Sequence, residues 1–223
     1  MTITNIPSGL CFLVLLLFPS IASLGQSSDP IMNLSKEVQL DRYDRIQGSP
    51  YFYDDWQKGS VLSSSGEVLD NIALNFNGES KELEFLINEK VRELTPGAYL
   101  RVTIEQGTYS DVYMRGINPK FGLDLVCISY NGQKIKLVKS FQARKEEAHT
   151  TTAASQKFLP TLDYFLITNG QLENISIRKK RIIKILGHED EIETFLEKNN
   201  NSLKTEPELI QLLGFYEEEL LNQ

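Results

Sequence analysis

The stretch Leu123–Phe141, LDLVCISYNGQKIKLVKSF, decides the fold. Two runs of aliphatic and β-branched residues flank YNGQ, and Asn131–Gly132 is the dipeptide that most favours a tight hairpin turn. In the second run Lys134, Lys136 and Ser140 fall mostly on one face, with Ile135, Leu137 and Phe141 on the other. That is the period of a half-buried antiparallel strand.

The same texture extends in both directions. SVLSS and EVLDNIALNF flank Ser65–Gly66, and KELEFLI follows Asn77–Gly78. KVREL and AYLRVTIE lie on either side of Pro96–Gly97, and LDYFLIT and QLENISI are joined by Asn169–Gly170. Eight or nine short strands in about 120 residues predict an antiparallel sheet, sandwich or open barrel. Residues 143–157, ARKEEAHTTTAASQK, are charged and then small and polar, which predicts a long exposed loop. After Ile177 the period turns helical. RKKRIIKILG predicts a short basic helix ended by Gly187. EDEIETFLEKNNN sets Ile192, Phe195 and Leu196 on one face and loads its first turn with acids, which suits the helix dipole. TEPELIQLLGFYEEELL opens with Thr205 and Glu208 at capping-box spacing and Pro207 in the first turn, and carries the stripe Leu209, Leu212, Leu213, Tyr216 and Leu220.

The expected fold class is therefore α+β: an antiparallel β-rich body, sandwich or open barrel, followed by a short C-terminal helical segment. The expected division is a signal peptide (1–25), a flexible N-terminal arm (26–47) that reads as a tether or a loosely docked segment, an antiparallel β domain (48–177) and C-terminal helices (178–223). The signal reading rests on residues 11–24, CFLVLLLFPSIASL, an apolar run shorter than the ~20 residues that span a bilayer. Ser23 and Gly25 are small residues where the peptidase reads them, so cleavage after Gly25 is expected. MTITNIPSGL departs from the usual pattern by lacking Lys and Arg, and Cys11 stands at the start of the apolar run instead of after it, which argues against a lipoprotein. The expected location is exported: periplasmic, outer-membrane-associated or extracellular. The mature chain of about 198 residues suits one domain, soluble or peripherally attached to a membrane. Its remaining cysteine, Cys127, cannot form an internal disulfide and reads as a buried small hydrophobe. Thirty acids against 23 bases, a net charge of −7, argue against nucleic acid as a partner.

Ser49–Val61, SPYFYDDWQKGSV, sets Tyr51, Phe52, Tyr53 and Trp56 around Asp54 and Asp55. Such aromatics either close the β body or form a platform for a sugar face or a protein partner. Acid–base work by a carboxylate pair has Asp54, Asp55, Asp70, Asp111 and Asp124 as candidates, although spacing along the chain does not give their separation in space. Histidine chemistry has little to build on. His149 lies in the polar stretch, and HEDEIE, which begins at His188, lacks the second histidine of a zinc-binding helix. GxSxG, GxxxxGK, a GxGxxG after a strand and CxxC are all missing from the sequence. In RKKRIIK, Ile182, Ile183 and Ile185 turn inward while Arg178, Lys180, Arg181 and Lys184 reach outward, either as a solvated basic face or toward a negatively charged partner. Asn33, Asn174 and Asn200 open glycosylation triplets, which matter only in a eukaryotic secretory route.

GSPYFYDDWQKGSVLSSSGEVLDNIALNFN and LDYFLITNGQLENISIRKKRIIKILGHEDEIETFLEKNNNSLKTEPELIQLLGFYEEEL together cover under half of the chain. They resemble an uncharacterised family of small exported proteins of Bacteroidota. In that family an SPY-type start and an F/W-Q-x-G precede two strands, and a glycine-turn hairpin leads into a lysine-rich helix and two further helices. The resemblance implies a bacterial envelope location and a shared fold, and carries over no active site. Under it the glycosylation triplets lose their meaning. The expected function is an exported non-catalytic binding or assembly module of the cell envelope, with an envelope protein partner and no cofactor or metal. Its expected contacts are Tyr51, Phe52, Tyr53 and Trp56, with the loop after Arg144 second. The alternatives are a barrel-like carrier of a small apolar ligand and a carboxylate-based glycan hydrolase using Asp54 and Asp55.

Overall fold

The computed structural model describes residues 29–149 and 154–221; the apolar run at 11–24 and the expected cleavage position lie outside them. The strands are β1 (Ser35–Glu37), β2 (Ile46–Gln47), β3 (Gln57–Ser63), β4 (Val68–Asn77), β5 (Glu82–Ile87) and β6 (Lys90–Leu94). They continue as β7 (Tyr99–Gln106), β8 (Tyr109–Met114), β9 (Val126–Asn131), β10 (Ile135–His149), β11 (Ala154–Thr168) and β12 (Gln171–Ile175). Helices α1 (Lys179–Leu186), α2 (Glu189–Lys198) and α3 (Glu206–Phe215) follow, and a π-helical turn, Tyr216–Leu220, extends the last. The chain is α+β, with the antiparallel β-rich body and C-terminal helical segment that the sequence predicts.

All twelve strands belong to one open sheet in the order β1-β6-β5-β4-β3-β7-β8-β9-β10-β11-β12, with β2 added in parallel at Gln156 and Lys157 of β11. The body is thus a single sheet instead of two packed ones. In a flat sheet β4 and β8, three places apart, would lie about 14 Å from each other. Phe76 on β4 nonetheless stacks on Tyr113 of β8 at 5.2 Å between centroids. Further round, Ala143 N–H on β10 donates to Gly78 O after β4 at 3.0 Å. The sheet therefore curls on itself and buries one face inside, around Val61, Leu74, Phe85, Val102, Ile104 and Tyr113. Gly78 is required at the closest approach, because a Cβ there would meet the Phe141 ring at 2.5 Å.

Along β9 and β10 the inner face changes partner. Ile135 and Leu137, with Leu166 and Ile175, meet the buried stripes of the helices: Ile182, Ile192, Leu196, Leu209, Leu212 and Leu213. The helix ends follow the sequence. Gly187 ends α1 at φ 71°, and Thr205 and Glu208 form the reciprocal capping box of α3. On the opposite face Val126, Ile128, Val138 and Ile167 form a third, smaller core.

Three expectations are corrected. Residues 143–157 are mostly strand, because β10 and β11 pair from Ile135–Thr168 out to His149–Ala154. Past the buried Ala143 the side chains of residues 144–147 are exposed, so this part of the ribbon needs no apolar period and its polarity imitates a loop. At the Ala143–Pro160 pair both backbone nitrogens point away from the ribbon's own ladder, so Pro160 breaks no bond. Second, Asn131–Gly132 does not make a two-residue turn. Asn131 pairs with Lys136, and neither turn residue takes the positive φ of the tight form. Asn169 and Gly170, at φ 52° and 77°, do make it. Third, the described part of the arm is docked: Ile31 is fully buried, β1 pairs with β6, and Arg42 reaches Glu84.

Candidate functional site

Ile135, Leu137, Lys139 and Phe141 occupy one face of β10, so strand alternation drives a lysine into the interior. Its surroundings come from three other elements. Asp111 and Tyr113 are two apart on β8 and face inward together; Glu206 opens α3, where an acid also suits the helix dipole; and Tyr53 comes from the segment before β3. Lys139 Nζ lies 2.8 Å from Asp111 Oδ1 and 2.9 Å from Oδ2, only the second contact being aligned as a hydrogen bond. It donates to Glu206 Oε1 at 2.8 Å, and Tyr164 OH donates to Glu206 Oε2 at 3.0 Å. Tyr53 OH donates to Asp111 Oδ2 at 2.6 Å and lies 3.0 Å from Tyr113 OH. Phe52 covers the ammonium, 5.0 Å from Nζ to the ring centroid. The side chains of Lys139, Asp111 and Glu206 are 3%, 1% and 11% exposed.

Burial and charge act on four members of the cluster. Burial pulls the Lys139 ammonium down, but the Asp111 and Glu206 carboxylates more than restore it, and it is held above the ordinary lysine value. Burial, with the Asp111 charge second, pushes the Cys127 thiol well up, so it stays neutral and unreactive. Burial likewise holds Tyr53 and Tyr113 well above the usual phenol range. A permanently protonated amine is no nucleophile, and Asp111 is engaged by an ammonium and a phenol. The cavity beside them, lined by Phe52, Phe76, Tyr113, Leu125, Cys127, Lys139 and Phe141, measures about 10 Å³, room for about one water. Chemically the arrangement is a clamp: it ties β8, β10, α3 and the aromatic stretch to one another.

A second network holds the arm. Glu84 on β5 is fully buried and accepts from Arg42 Nη2 at 2.6 Å, Tyr51 OH at 2.8 Å and Asn77 Nδ2 at 2.7 Å. Asn77 also donates to Tyr43 OH at 3.0 Å, and Tyr43 donates to Glu79. Burial raises the Tyr43 phenol to about 12.

The aromatic stretch is divided between these two networks. Tyr53 is buried in the clamp, Phe52 packs on Tyr53 and Phe141, and Tyr51 joins Glu84. Trp56, half-buried, lies 5.6 Å from Tyr51 by centroids. The five candidate aspartates are scattered: Asp54, Asp55, Asp70 and Asp124 are exposed, Asp111 is buried, and no two share a hydrogen-bond partner. His188 is the exposed residue before α2; the side chain of His149 lies outside the described set. Arg178, Lys180, Arg181 and Lys184 are exposed, with Arg181 on Glu173 at 2.8 Å, while Ile182 and Ile183 are buried. Sequence reasoning missed Lys139, Glu206 and Glu84. The signal for Lys139 was its odd-numbered place beside Ile135, Leu137 and Phe141. For Glu84 and Glu206 no local signal existed, since distant elements cover them.

Among the described residues no helix is long and apolar enough to cross a membrane, and no group of three or more potential ligands could hold a metal ion. Compared with known proteins, the chain matches no family model, no curated protein and no solved structure.

Proposed function

We propose that the protein is an exported, non-catalytic binding or assembly module of the bacterial cell envelope. One observation carries the reading: the inward groups best suited to chemistry, Lys139, Asp111 and Glu206, are spent on the clamp, and Cys127 lines a space for one water beside it. A fold so built leaves function to its surface. The cavity beside the clamp, about 10 Å³, disfavours a carrier that encloses an apolar guest within the curled sheet, because such a guest needs hundreds of cubic ångströms.

Fractionation of the native host expressing the tagged full-length chain tests the location, and mild solubilisation of the envelope tests the assembly. The expected result is an envelope protein retained in stoichiometric complex. Cytoplasmic recovery, or turnover in a glycan-hydrolysis screen between roughly pH 4 and 8, overturns the reading. Tyr51→Ala and Trp56→Ala then ask what the half-buried aromatics do. Binding lost at an unchanged melting temperature assigns them to recognition, whereas a large loss of stability assigns them to packing.

A further inference from the structure

The C-terminal helices carry a groove that neither buried network explains. Phe195 of α2 and Phe215 of α3 stack nearly parallel, 4.3 Å apart at 13°, and both remain half-exposed. They floor an opening of about 710 Å³ whose rim includes Asp190, Glu191, Glu219 and Lys198. That volume lies in the range of ordinary ligand and peptide side-chain sites. The rim holds three carboxylates to one ammonium, on a protein of net charge −7. The Asp190 and Glu191 side chains are exposed and form no ion pair among the described residues.

We propose that this groove binds a segment of a partner protein in which a Lys or Arg stands beside an apolar side chain. This assignment rests on reading the protein as a binding module and names the partner's chemistry. An apolar side chain covers the exposed faces of the two rings, and the adjoining cation meets Asp190 and Glu191. A cation over an aromatic face gains a further attraction at such a site. Rim charges of this kind chiefly speed association and select against acidic competitors. A second copy of this chain is a poor occupant. Its own basic apolar run, KKRIIKIL in α1, has Ile182 and Ile183 buried in the helical core and offers only its charged side.

The test uses the full chain and three labelled peptides of about a dozen residues: one alternating Lys with Leu and Phe, its Glu-for-Lys counterpart, and oligolysine. Fluorescence anisotropy at low and moderate salt reads affinity, and amide chemical shifts map the contact. The Lys/Leu/Phe peptide is expected to bind at least ten-fold tighter than either of the others, with shifts gathered at residues 190–199 and 213–219. Asp190→Asn with Glu191→Gln, two exposed changes that leave the core intact, should weaken it several-fold, and Phe195→Ala more. Equal binding by oligolysine means only diffuse attraction to an acidic protein and overturns the proposal. So does binding that is indifferent to these variants. The titration does not depend on export, so a failure here and a failure of the envelope reading are separable results.

Discussion

Lys139→Met is the substitution that most directly probes the clamp. Methionine matches the lysine stem in volume, so the change removes one charge and leaves little cavity. The wild-type cluster holds one ammonium between two carboxylates, with side-chain exposures of 3%, 1% and 11%. Taking away the cation leaves two acids facing each other in a nearly dry site. Removing one partner of a buried ion pair typically costs about 3–5 kcal/mol. For a chain of this size each kcal/mol lowers the melting temperature by about 2–4 °C, so a fall of roughly 6–20 °C is expected. Asp111→Asn and Glu206→Gln each leave one cation and one anion, a balanced pair. Their cost should be nearer that of a lost charged hydrogen bond, about 1.5–3 kcal/mol.

Urea unfolding reads these differences with two probes: fluorescence of Trp56, the sole tryptophan, beside the curled sheet, and far-UV circular dichroism for the helices. Because the clamp joins the sheet core to the helical core, wild-type transitions should coincide and those of Lys139→Met should separate. A Lys139→Met protein within about 1 kcal/mol of wild type, or an order in which Asp111→Asn costs more, refutes the reasoning.

Arg42→Ala strands the fully buried Glu84 with only neutral donors; the arginine is 20% exposed, so the low end of the buried-pair range, about 3 kcal/mol, is expected. Limited proteolysis should then cut within residues 30–47, and continued resistance there counts against the docked arm. Glu217→Ala should cost about 1–3 kcal/mol, because Lys134 N–H and Tyr130 OH lose their acceptor; hydrogen exchange at Lys134 should quicken while β3 and β4 stay unchanged. Tyr51, Tyr53, Tyr113 and Tyr164 all have native values raised first by burial. A raised native value means that the stability is fully present below the unfolded value, about 10 for tyrosine, and is lost as pH climbs beyond it. The urea midpoint should therefore hold steady to about pH 9 and fall above about pH 10, together with the appearance of phenolate absorbance. A midpoint unchanged through that range would contradict it.

How much of this was legible depends on how local the cause is. The antiparallel strands, the Asn169–Gly170 turn and the Thr205–Glu208 cap were readable, because each is set by residues within a few positions of one another. Asn131–Gly132 carries the same dipeptide and turns differently, because a residue far along the chain intervenes. The Glu217 carboxylate accepts from Lys134 N–H at 2.5 Å and Tyr130 OH at 2.8 Å, and occupies the space a Cβ on Gly132 would need. Burial opposes that carboxylate, but the amides of Lys134, Ile135 and Gln133 and the Tyr130 hydroxyl hold it below the usual glutamate value. The curl of the sheet was illegible for the same reason, since it is set by contacts such as Phe76–Tyr113 and Gly78–Ala143 across non-neighbouring strands. Lys139 is the instructive case. Its alternation was in plain view, yet a lysine in an apolar register is read as solvent-facing until its partners on β8 and α3 are known.

Those partners also bear on what the clamp is for. Stability alone would be served as well by apolar side chains, since replacing a buried charged triad with hydrophobic residues is often neutral or favourable. Charges add direction: Glu206 Oε1 must meet Nζ while Oε2 meets Tyr164 OH, which leaves the first turn of α3 one placement on the sheet. Phe215 is the last residue of the same helix and half of the stacked floor of the acidic groove. Fixing one end of a ten-residue helix by two polar contacts thus fixes where the aromatic floor sits at the other, about 14 Å along the axis. An apolar triple variant, Lys139→Met with Asp111→Leu and Glu206→Leu, separates the two roles. It should stay folded, losing about 1–3 kcal/mol for the Tyr164 hydroxyl left without its acceptor, and bind the Lys/Leu/Phe peptide more weakly, although no groove residue has changed. Full peptide affinity in that variant would reduce the clamp to a structural alternative to packing, with no part in positioning the groove.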